Sequence, residues 1–255
     1  MSGRHYLDVI MFRTYAELKA EASRTYLGLL WWIIDPILTM MVFYFVFGMI
    51  RKPGVENFVQ FLLVGVVIWQ WFNRTISHAA TSLRRNQDLI TRVALPKAIF
   101  PLTILSIDSF KFSVVFVLLI AFLLQSGFPV STTYLALPVL LAAQLLLIAG
   151  FSFIAAALVP LLPDLHYFID HALRLLFFLS GIFYSIRQVP AEYQDVFLYN
   201  PMALLIDAYR QVLLHQQWPE AGRVALVLAI GLAAVILGQW LLARLSDAYV
   251  KAIRA

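Results

Sequence analysis

The longest uncharged stretch of this chain runs for 52 residues, from Phe112 to Pro163. A helix needs about 20 mostly apolar residues to cross a bilayer, so this stretch is too long for one crossing. The polar turn Gln125–Thr133 divides it and predicts two spanning helices. Hydrophobic residues make up 62% of the 255 residues and charged residues 13%, whereas soluble domains average about 45–50% and about 25%. This composition excludes a soluble globular protein.

Four further apolar windows are long enough to cross the membrane. Pro36–Ile50 and Asn57–Asn73 contain no charged residue, and Val224–Ala243 supplies 20 uncharged residues. The fourth window extends Leu175–Ile186 back to residue 167 and places Arg174 where a long side chain can reach the interface. We therefore predict an all-α, polytopic membrane protein with one transmembrane domain over 1–255. The six predicted spans cover about 31–50, 58–80, 101–124, 134–159, 167–186 and 222–243.

Lysine and arginine are unevenly distributed between the predicted loops. With the N-terminus inside, fourteen of these residues lie on the cytoplasmic side and five outside. Basic residues concentrate in cytoplasmic loops, so both termini are expected in the cytoplasm. The first apolar run begins only near Tyr26, after a mixed-charge stretch, so no cleaved signal peptide is expected.

The segment before the first span, residues 5–25, has a helical apolar period. Its apolar stripe consists of Leu7, Met11, Tyr15, Leu18 and Ala22. Charged residues that include Arg13 and Arg24 lie elsewhere around the helix. The pattern predicts an amphipathic helix along the cytoplasmic membrane surface. An anchor and a docking surface both remain open as its role.

Two connecting segments are too long for simple turns. Residues 82–96 predict a short polar cytoplasmic helix that ends near Pro96. Residues 187–221 are too polar to cross and too apolar for a solvated loop. Pro190 and Pro201 suit the first turns of two short helices, which predicts a helical hairpin that dips into the outer leaflet.

Several kinds of chemistry are missing from the sequence. No glycine is followed by lysine, so the phosphate-binding loop of an ATPase is absent. The chain has no cysteine, which excludes disulfides, thiolate zinc sites and cysteine nucleophiles. Asp164, His166, Asp170 and His171 share one short predicted loop and are interpreted as solvated residues, with no metal site. The net charge of +5 is attributed to cytoplasmic helix ends, with no nucleic acid as partner.

Two residue sets inside the spans are candidates for function. Asp108 and Lys111 lie one helical turn apart in span three, and a mutual ion pair without a transport role is the favoured interpretation. Most aromatic residues are attributed to interfacial belts and packing, but two pairs fall on single helix faces and could line a path. The candidate path residues are therefore Tyr44, Phe47, Phe177 and Tyr184.

Three stretches carry a family resemblance. The first is Arg24-Thr-Tyr-Leu-Gly-Leu-Leu-Trp31 followed by Asp35-Pro36. The second is Gly65 with Trp69 and Trp71-Phe72, then Asn86-Gln-Asp-Leu-Ile90 and Leu95-Pro-Lys97. The third is Phe178-Leu-Ser180, Phe183-Tyr184, Val189-Pro190, Asn200-Pro201 and Arg210. Together they resemble the membrane subunit of ABC-2 type polysaccharide exporters, from which the chain departs at Pro163 and Gly181.

The resemblance implies a transport function without enzymatic activity in this chain. It implies a homodimer in the bacterial inner membrane, an undecaprenyl-linked polysaccharide substrate, and two separate ATPase subunits that bind ATP and magnesium. No cofactor is expected in this chain. The ATPase is expected to dock at the N-terminal helix, through Arg13, Tyr15 and Arg24, and at residues 82–96. The expected coupling residues are Arg84, Arg85, Asn86, Asp88, Leu89, Ile90 and Arg92, and Leu89 and Ile90 would seat in a cleft of the ATPase.

The expected outer gate consists of Pro190, Asn200, Pro201 and Arg210. O-antigen is the first expected cargo. Capsule, teichoic acid or a small hydrophobic drug would suit the same architecture. A membrane-embedded acyl- or glycosyltransferase is the rival from another class, and it would need acids, bases or a metal gathered at one membrane face.

Overall fold

The computed structural model describes residues 3–23, 30–48, 57–92, 95–185, 190, 192, 199–245 and 249. Within these ranges the chain is helical and contains no strand, which confirms the predicted all-α class. The first five helices are α1 Gly3–Ser23, α2 Trp31–Gly48, α3 Phe58–Ala80, α4 Ser82–Arg85 and α5 Gln87–Arg92. The other five are α6 Ile99–Gln125, α7 Leu137–Leu158, α8 Leu165–Leu179, α9 Pro201–Leu213 and α10 Ala221–Arg244. A 3₁₀ turn at Thr132–Ala136 leads into α7.

Three segments are long and apolar enough to cross a membrane, namely α6, Thr132–Leu158 and α10. They correspond to three of the six predicted spans. The other three predicted spans overlap α2, α3 and α8, and α8 ends at Leu179 whereas the predicted span continues to 186. The 15 residues of α8 rise about 22 Å, which is less than the hydrocarbon thickness of about 30 Å. Six crossings therefore remain a prediction.

The helix α3 lies at the centre of the packing. Most of its side chains are buried, and α2, α6, α7, α8 and α9 all contact it. Gln144 on α7 is fully buried and donates a hydrogen bond of 2.9 Å from Nε2 to the Ile68 carbonyl of α3. This polar contact fixes the relative height of the two helices within an otherwise apolar interface.

The closest helix pair is α7 and α10. A Cβ atom added at Gly238 would lie 2.5 Å from Cβ of Phe153, and one at Gly150 would lie 2.5 Å from Cβ of Ala234. Small residues let two backbones approach closely in a membrane, where packing supplies much of the attraction between helices. These glycines therefore explain the close contact between α7 and α10.

The predicted cytoplasmic helix in 82–96 is two helices instead of one. The break falls at Asn86, whose Nδ2 donates to the Ser82 carbonyl at 2.9 Å and whose backbone N–H bonds to Leu83. Asparagine side chains compete in this way with helical backbone bonding. The segment therefore turns at Asn86 and starts again at Gln87.

The N-terminal helix α1 runs alongside the first half of α6. The Arg13 guanidinium lies 4.9 Å from the Phe100 ring centroid, and Glu21 pairs with Lys111 at 2.6 Å. Contact thus extends over about 12 Å of α1. Three members of the predicted apolar stripe, Leu7, Met11 and Tyr15, are exposed. The position of α1 at a membrane surface remains a prediction.

Candidate functional site

Arg210 on α9 is buried, with 4% of its surface exposed. Its Nε donates to the Phe61 carbonyl at 3.1 Å, Nη1 to Gly181 at 2.7 Å and Nη2 to Ile182 at 2.9 Å. Its guanidinium carbon also lies 3.3 Å from the Phe61 ring centroid. The planar donor fork of arginine can serve several acceptors at once. Arg210 therefore joins α9 to the start of α3 and to the turn after α8.

Two glycines make room for this arginine. A Cβ atom added at Gly65 would lie 2.7 Å from Nη2 of Arg210. Gly181 has φ of 68°, a backbone region that other residues rarely adopt. This turn contributes the Gly181 carbonyl that Arg210 binds. Gly181 is one of the chain's departures from the family pattern, and here the glycine permits the turn.

Asn200 ties the start of α9 to the end of α8. Its Oδ1 accepts from the backbone N–H groups of Met202 and Ala203, and its Nδ2 donates to the Leu179 carbonyl and to Ser180 Oγ. Asparagine is preferred at the N-cap, the residue before the first helical turn, because its side-chain oxygen accepts from backbone N–H groups of that turn that have no other partner. Pro201 follows in the first turn, where a missing N–H costs little.

The structure brings together three of the four predicted gate residues. Asn200, Pro201 and Arg210 all lie on or beside α9, which is the second of the two helices predicted in 187–221. Pro190 is exposed. The first predicted helix of the hairpin falls largely on 191 and 193–198, outside the described residues. A gating role for this cluster remains a prediction.

An apolar crevice of about 560 Å³ lies beside α8. It is lined by α3, α7 and α8 and by the start of α9. Leu173 is the buried residue of α8. Most of the other apolar side chains of this helix are exposed. Within the part of the chain that the structure describes, α8 therefore packs little against the other helices.

The four predicted path residues lie on α2 (Tyr44 and Phe47), on α8 (Phe177) and in the turn after α8 (Tyr184). Tyr44 on α2 is 58% exposed, and the side chain of Phe47 lies outside the described residues. Phe177 packs its ring 6.0 Å from that of Trp69, and the Tyr184 hydroxyl donates to the Phe178 carbonyl at 2.8 Å. Phe177 thus contributes to internal packing, whereas Tyr44 is open to a neighbour.

At the other end of the molecule, α1 contacts the predicted coupling segment. Arg13 donates to Oδ1 of Asn86 at 2.7 Å and pairs with Glu17 at 3.3 Å. Tyr15 is exposed, with Lys19 over its ring at 6.0 Å. Arg24 lies outside the described residues. Of the two predicted docking residues that the structure describes, Arg13 therefore binds the coupling segment.

The predicted coupling residues divide by exposure. Arg84, Arg85 and Asp88 are exposed, whereas Leu89 and Ile90 are half-buried against a cluster that includes Leu83, Phe100 and Leu242. The side chain of Arg92 lies outside the described residues. Leu89 and Ile90 thus use part of their apolar surface inside their own chain, so the exposed charges are the main surface offered by this segment.

Tyr249, which follows α10 in the chain, packs against the end of α7. Its hydroxyl donates to the Ala157 carbonyl at 2.8 Å, and the Lys97 ammonium lies 5.1 Å from its ring centroid. Burial raises the pKa of Tyr249 to about 12. The phenol therefore stays neutral and keeps its donor at physiological pH.

The predicted mutual pairing of Asp108 and Lys111 is wrong. Asp108 accepts from Nδ1 of His78 at 2.9 Å, and Lys111 binds Glu21 at 2.6 and 2.7 Å. The two residues are one turn apart, but α3 lies beside Asp108 and α1 lies beside Lys111. Each therefore finds its partner on a different neighbouring helix.

The predicted loop of Asp164, His166, Asp170 and His171 is wrong, because the last three lie in the first two turns of α8. Within the described part of the chain, no group of three side chains is placed to hold a metal ion. Asp170 accepts a hydrogen bond of 2.6 Å from the Ser77 hydroxyl, and Nδ1 of His166 lies 3.0 Å from the Pro163 carbonyl. These contacts connect the start of α8 to α3 and to the residues that precede α8.

Sequence reasoning missed the environment of Arg210. It assigned Arg210 to the outer side and to the gate, but it named neither Phe61 nor the carbonyls of Gly181 and Ile182. Gly65 was the available signal, since a glycine within an apolar helix often marks a close approach by another group.

Comparison with known proteins identifies relatives over most of the chain. Residues 11–214 match the family model for the ABC-2 type transporter. An O-antigen export system permease protein RfbA from Klebsiella pneumoniae is 26% identical over 212 residues, 83% of this chain and 82% of that protein. An RfbA from Myxococcus xanthus is 25% identical over 85% of this chain and 84% of its own length. The polysialic acid transport protein KpsM from Escherichia coli is 21% identical over 78% of each chain.

Proposed function

Because this chain belongs to the ABC-2 type transporter family of membrane proteins, we propose that it is the permease of an ATP-driven exporter of lipid-linked polysaccharide. The names of the similar proteins, which refer to export of O-antigen and transport of polysialic acid, support this function. O-antigen is the proposed cargo, since two of these relatives carry that name. Capsular polysaccharide is the nearest alternative because the third relative transports polysialic acid.

The observation that carries the proposal is the incomplete packing of α2 and α8. Both helices contact the buried helix α3, and both expose large apolar and aromatic side chains. Apolar surface of this extent marks a surface for lipid or for another protein. A second copy of the chain would cover part of it, and the two copies would enclose the path between them. We therefore assign a homodimer to the working transporter.

ATP hydrolysis belongs to a separate subunit in this proposal. The chain has no phosphate-binding loop, so ATP and Mg²⁺ would be bound by two copies of the partner ATPase. The exposed charges at Arg84, Arg85 and Asp88 are the proposed docking surface. The hydrogen bond between Arg13 and Asn86 would carry a displacement of this surface to α1.

The proposed orientation places both termini in the cytoplasm and the hairpin at the outer face. Six spans remain the proposed topology, with α2, α3 and α8 as the additional crossings. The exposed apolar stripe of α1 would face lipid at the cytoplasmic interface. Asn200, Pro201 and Arg210 would fix α9 as the outer closure of the path.

The decisive experiment is deletion of the gene in its own host. The expected result is loss of surface polysaccharide with accumulation of undecaprenyl-linked polymer inside the cell, restored by the intact gene. An empty vector is the control. Unchanged surface polysaccharide combined with raised sensitivity to hydrophobic drugs would support drug export instead. Altered glycan structure with normal transport would support a membrane transferase and contradict the proposal.

A further inference from the structure

The helix α8 is bound to α3 along one side. Near the start of α8, Asp170 accepts a hydrogen bond of 2.6 Å from the Ser77 hydroxyl of α3. Near its end, the Phe177 ring lies 6.0 Å from the ring of Trp69, which is also on α3. Asp170 and Phe177 are about two helical turns apart, so they lie on the same side of α8. The other sides of α8 are therefore free to contact something else.

A second side of α8 faces the apolar crevice of about 560 Å³. The α8 residues that line the crevice recur at helical spacing and include Leu165, Ile169, Ala172 and Leu176. On the opposite wall, α7 contributes Ala155 and Leu158. The two helices follow each other in the chain through residues 159–164, and packed helices commonly have axes about 8–10 Å apart. The crevice therefore takes the place of direct packing between these two faces.

The dimensions of the crevice favour a single hydrocarbon chain. Leu165 and Leu179 both line it, and they are about 21 Å apart along the helix. Over that length, the volume of about 560 Å³ gives a mean cross-section of about 27 Å², whereas a helix about 10 Å wide needs about 80 Å². An apolar cavity of about 150 Å³ holds one benzene, so the crevice has room for about 20 carbon atoms. It is therefore too narrow for a helix of a second copy.

The chemistry of the crevice favours an apolar occupant. Its described lining has no charged side chain, and the polar groups in it are the phenol of Tyr199 and the amide of Asn200. The Asn200 amide is already bonded to the end of α8 and the start of α9. A buried water needs about two to four polar partners, which this lining does not offer. Phe168 also lines the crevice and is 69% exposed, so this edge is open to a chain that enters from the bilayer.

We propose that this crevice binds one acyl chain of a bilayer phospholipid. Each leaflet supplies about half of the hydrocarbon thickness of about 30 Å, so a chain of about 15 Å fits within the crevice. The much longer undecaprenyl chain of the proposed cargo would extend beyond it. A third side of α8 exposes Tyr167, Leu175 and Phe178, and this side remains available to the second copy. The lipid therefore completes the packing of α8 without blocking the proposed dimer.

The test is photo-crosslinking of the full-length permease in phosphatidylcholine vesicles. The probe is a trace of phosphatidylcholine with a diazirine in one acyl chain. The permease is extracted into detergent, washed to remove weakly bound lipid, and only then irradiated. Mass spectrometry measures the crosslinked lipid per chain and its attachment sites. We expect about one retained lipid per chain, attached to the walls that α7 and α8 contribute. No retained lipid, or attachment confined to other helices, would overturn the proposal.

Variants connect the retained lipid to the crevice. Ala172→Phe fills the space between α7 and α8, and it should lower the retained lipid at least fivefold. Ala233→Phe, at an exposed alanine in the middle of α10, is the matched control and should retain as much lipid as the unaltered protein. Leu176→Trp, at a lining residue that is 37% exposed, provides a second variant if Ala172→Phe fails to fold. Unchanged retention in the folded crevice variants would overturn the proposal.

Two further measurements distinguish the other possible occupants. Undecaprenyl phosphate should displace the probe no better than unlabelled phosphatidylcholine at the same concentration. Displacement at least tenfold better would assign the crevice to the cargo and overturn the phospholipid assignment. Ala172→Cys, in a chain without native cysteine, should stay unlinked on oxidation, whereas a disulfide-linked dimer would place a second copy in the crevice and overturn the proposal. These tests rely on the proposed crossing of α8 but need neither export nor an ATPase, so their failure is distinguishable from failure of the proposed function.

Discussion

Arg13 and Asn86 form a hydrogen bond of 2.7 Å between Nη2 and Oδ1, joining two segments that are 73 residues apart. One partner lies on the N-terminal helix, and the other lies at the break between α4 and α5. Asn86 is also bonded to Ser82 within its own segment. This charged hydrogen bond therefore connects α1 directly to the break between α4 and α5.

The first prediction concerns this bond. Asn86→Ala should uncouple the proposed transporter, so that ATP turnover by the complex continues while export falls severalfold. A hydrogen bond to a charged group contributes about 1.5–3 kcal/mol, enough for a change of that size. ATP turnover and surface polysaccharide are measured in parallel. Asp8→Asn, at an exposed residue of α1, is the control, and coupled export in Asn86→Ala would contradict the mechanism.

The second prediction concerns ATPase docking. Because Arg84 and Arg85 are exposed, their joint replacement by glutamate should abolish co-purification with the ATPase and leave the permease folded. Charge complementarity orients such contacts. Thermal unfolding should shift by less than about 2 °C, since exposed substitutions usually change stability by about 0.5 kcal/mol or less. An intact complex in the double variant would remove these arginines from the interface.

The third prediction concerns the space for Arg210. Gly65→Ala places a Cβ atom 2.7 Å from Nη2, so it should displace the guanidinium and destabilise the protein by about 1–3 kcal/mol through unpaired carbonyls. Thermal unfolding in detergent measures this loss. Gly222→Ala is the matched control because its Cβ atom would meet nothing within 4 Å, and alanine in a helix is more stable than glycine by about 1 kcal/mol. Equal unfolding temperatures for the two variants would contradict the displacement of Arg210 by a Cβ atom at position 65.

The class of the fold was predictable, and the particular contacts were not. Long uncharged windows determine where apolar helices lie, because burying an unpaired charge in lipid is costly. The partners of Asp108 and Lys111 depend on which helix packs beside each one, and spacing along α6 carries no such information. The burial of Arg210 depends on carbonyls freed by the turn at Gly181, which hydropathy does not reveal.

The fourth prediction concerns orientation and uses the absence of cysteine from the chain. Ser126→Cys, in the exposed turn after α6, should react with an impermeant thiol reagent added to intact spheroplasts. Arg84→Cys should react only after the membrane is opened. Ser131, the other serine in this connection, is less suitable because its hydroxyl accepts from the Thr133 backbone and contacts the Thr133 side chain. Labelling in the reverse order would contradict cytoplasmic termini.

The fifth prediction distinguishes aromatic residues that line the proposed path from those that pack inside the protein. Tyr44 is 58% exposed on α2, so Tyr44→Ala should leave the unfolding temperature nearly unchanged and lower surface polysaccharide if sugar rings slide over it. Phe177 packs against Trp69, so Phe177→Ala should destabilise the protein by about 2–4 kcal/mol, toward the lower end because the ring is only half-buried.

Both quantities are measured for each variant, with polysaccharide normalised to the amount of inserted protein. Val117→Ala, at a side chain on α6 that is 66% exposed, is the control for loss of apolar surface outside the proposed path. Normal export by Tyr44→Ala, at the same protein level, would place the path on other side chains. A stable Phe177→Ala variant with reduced export would instead assign Phe177 to the path, because lost packing would no longer explain its effect.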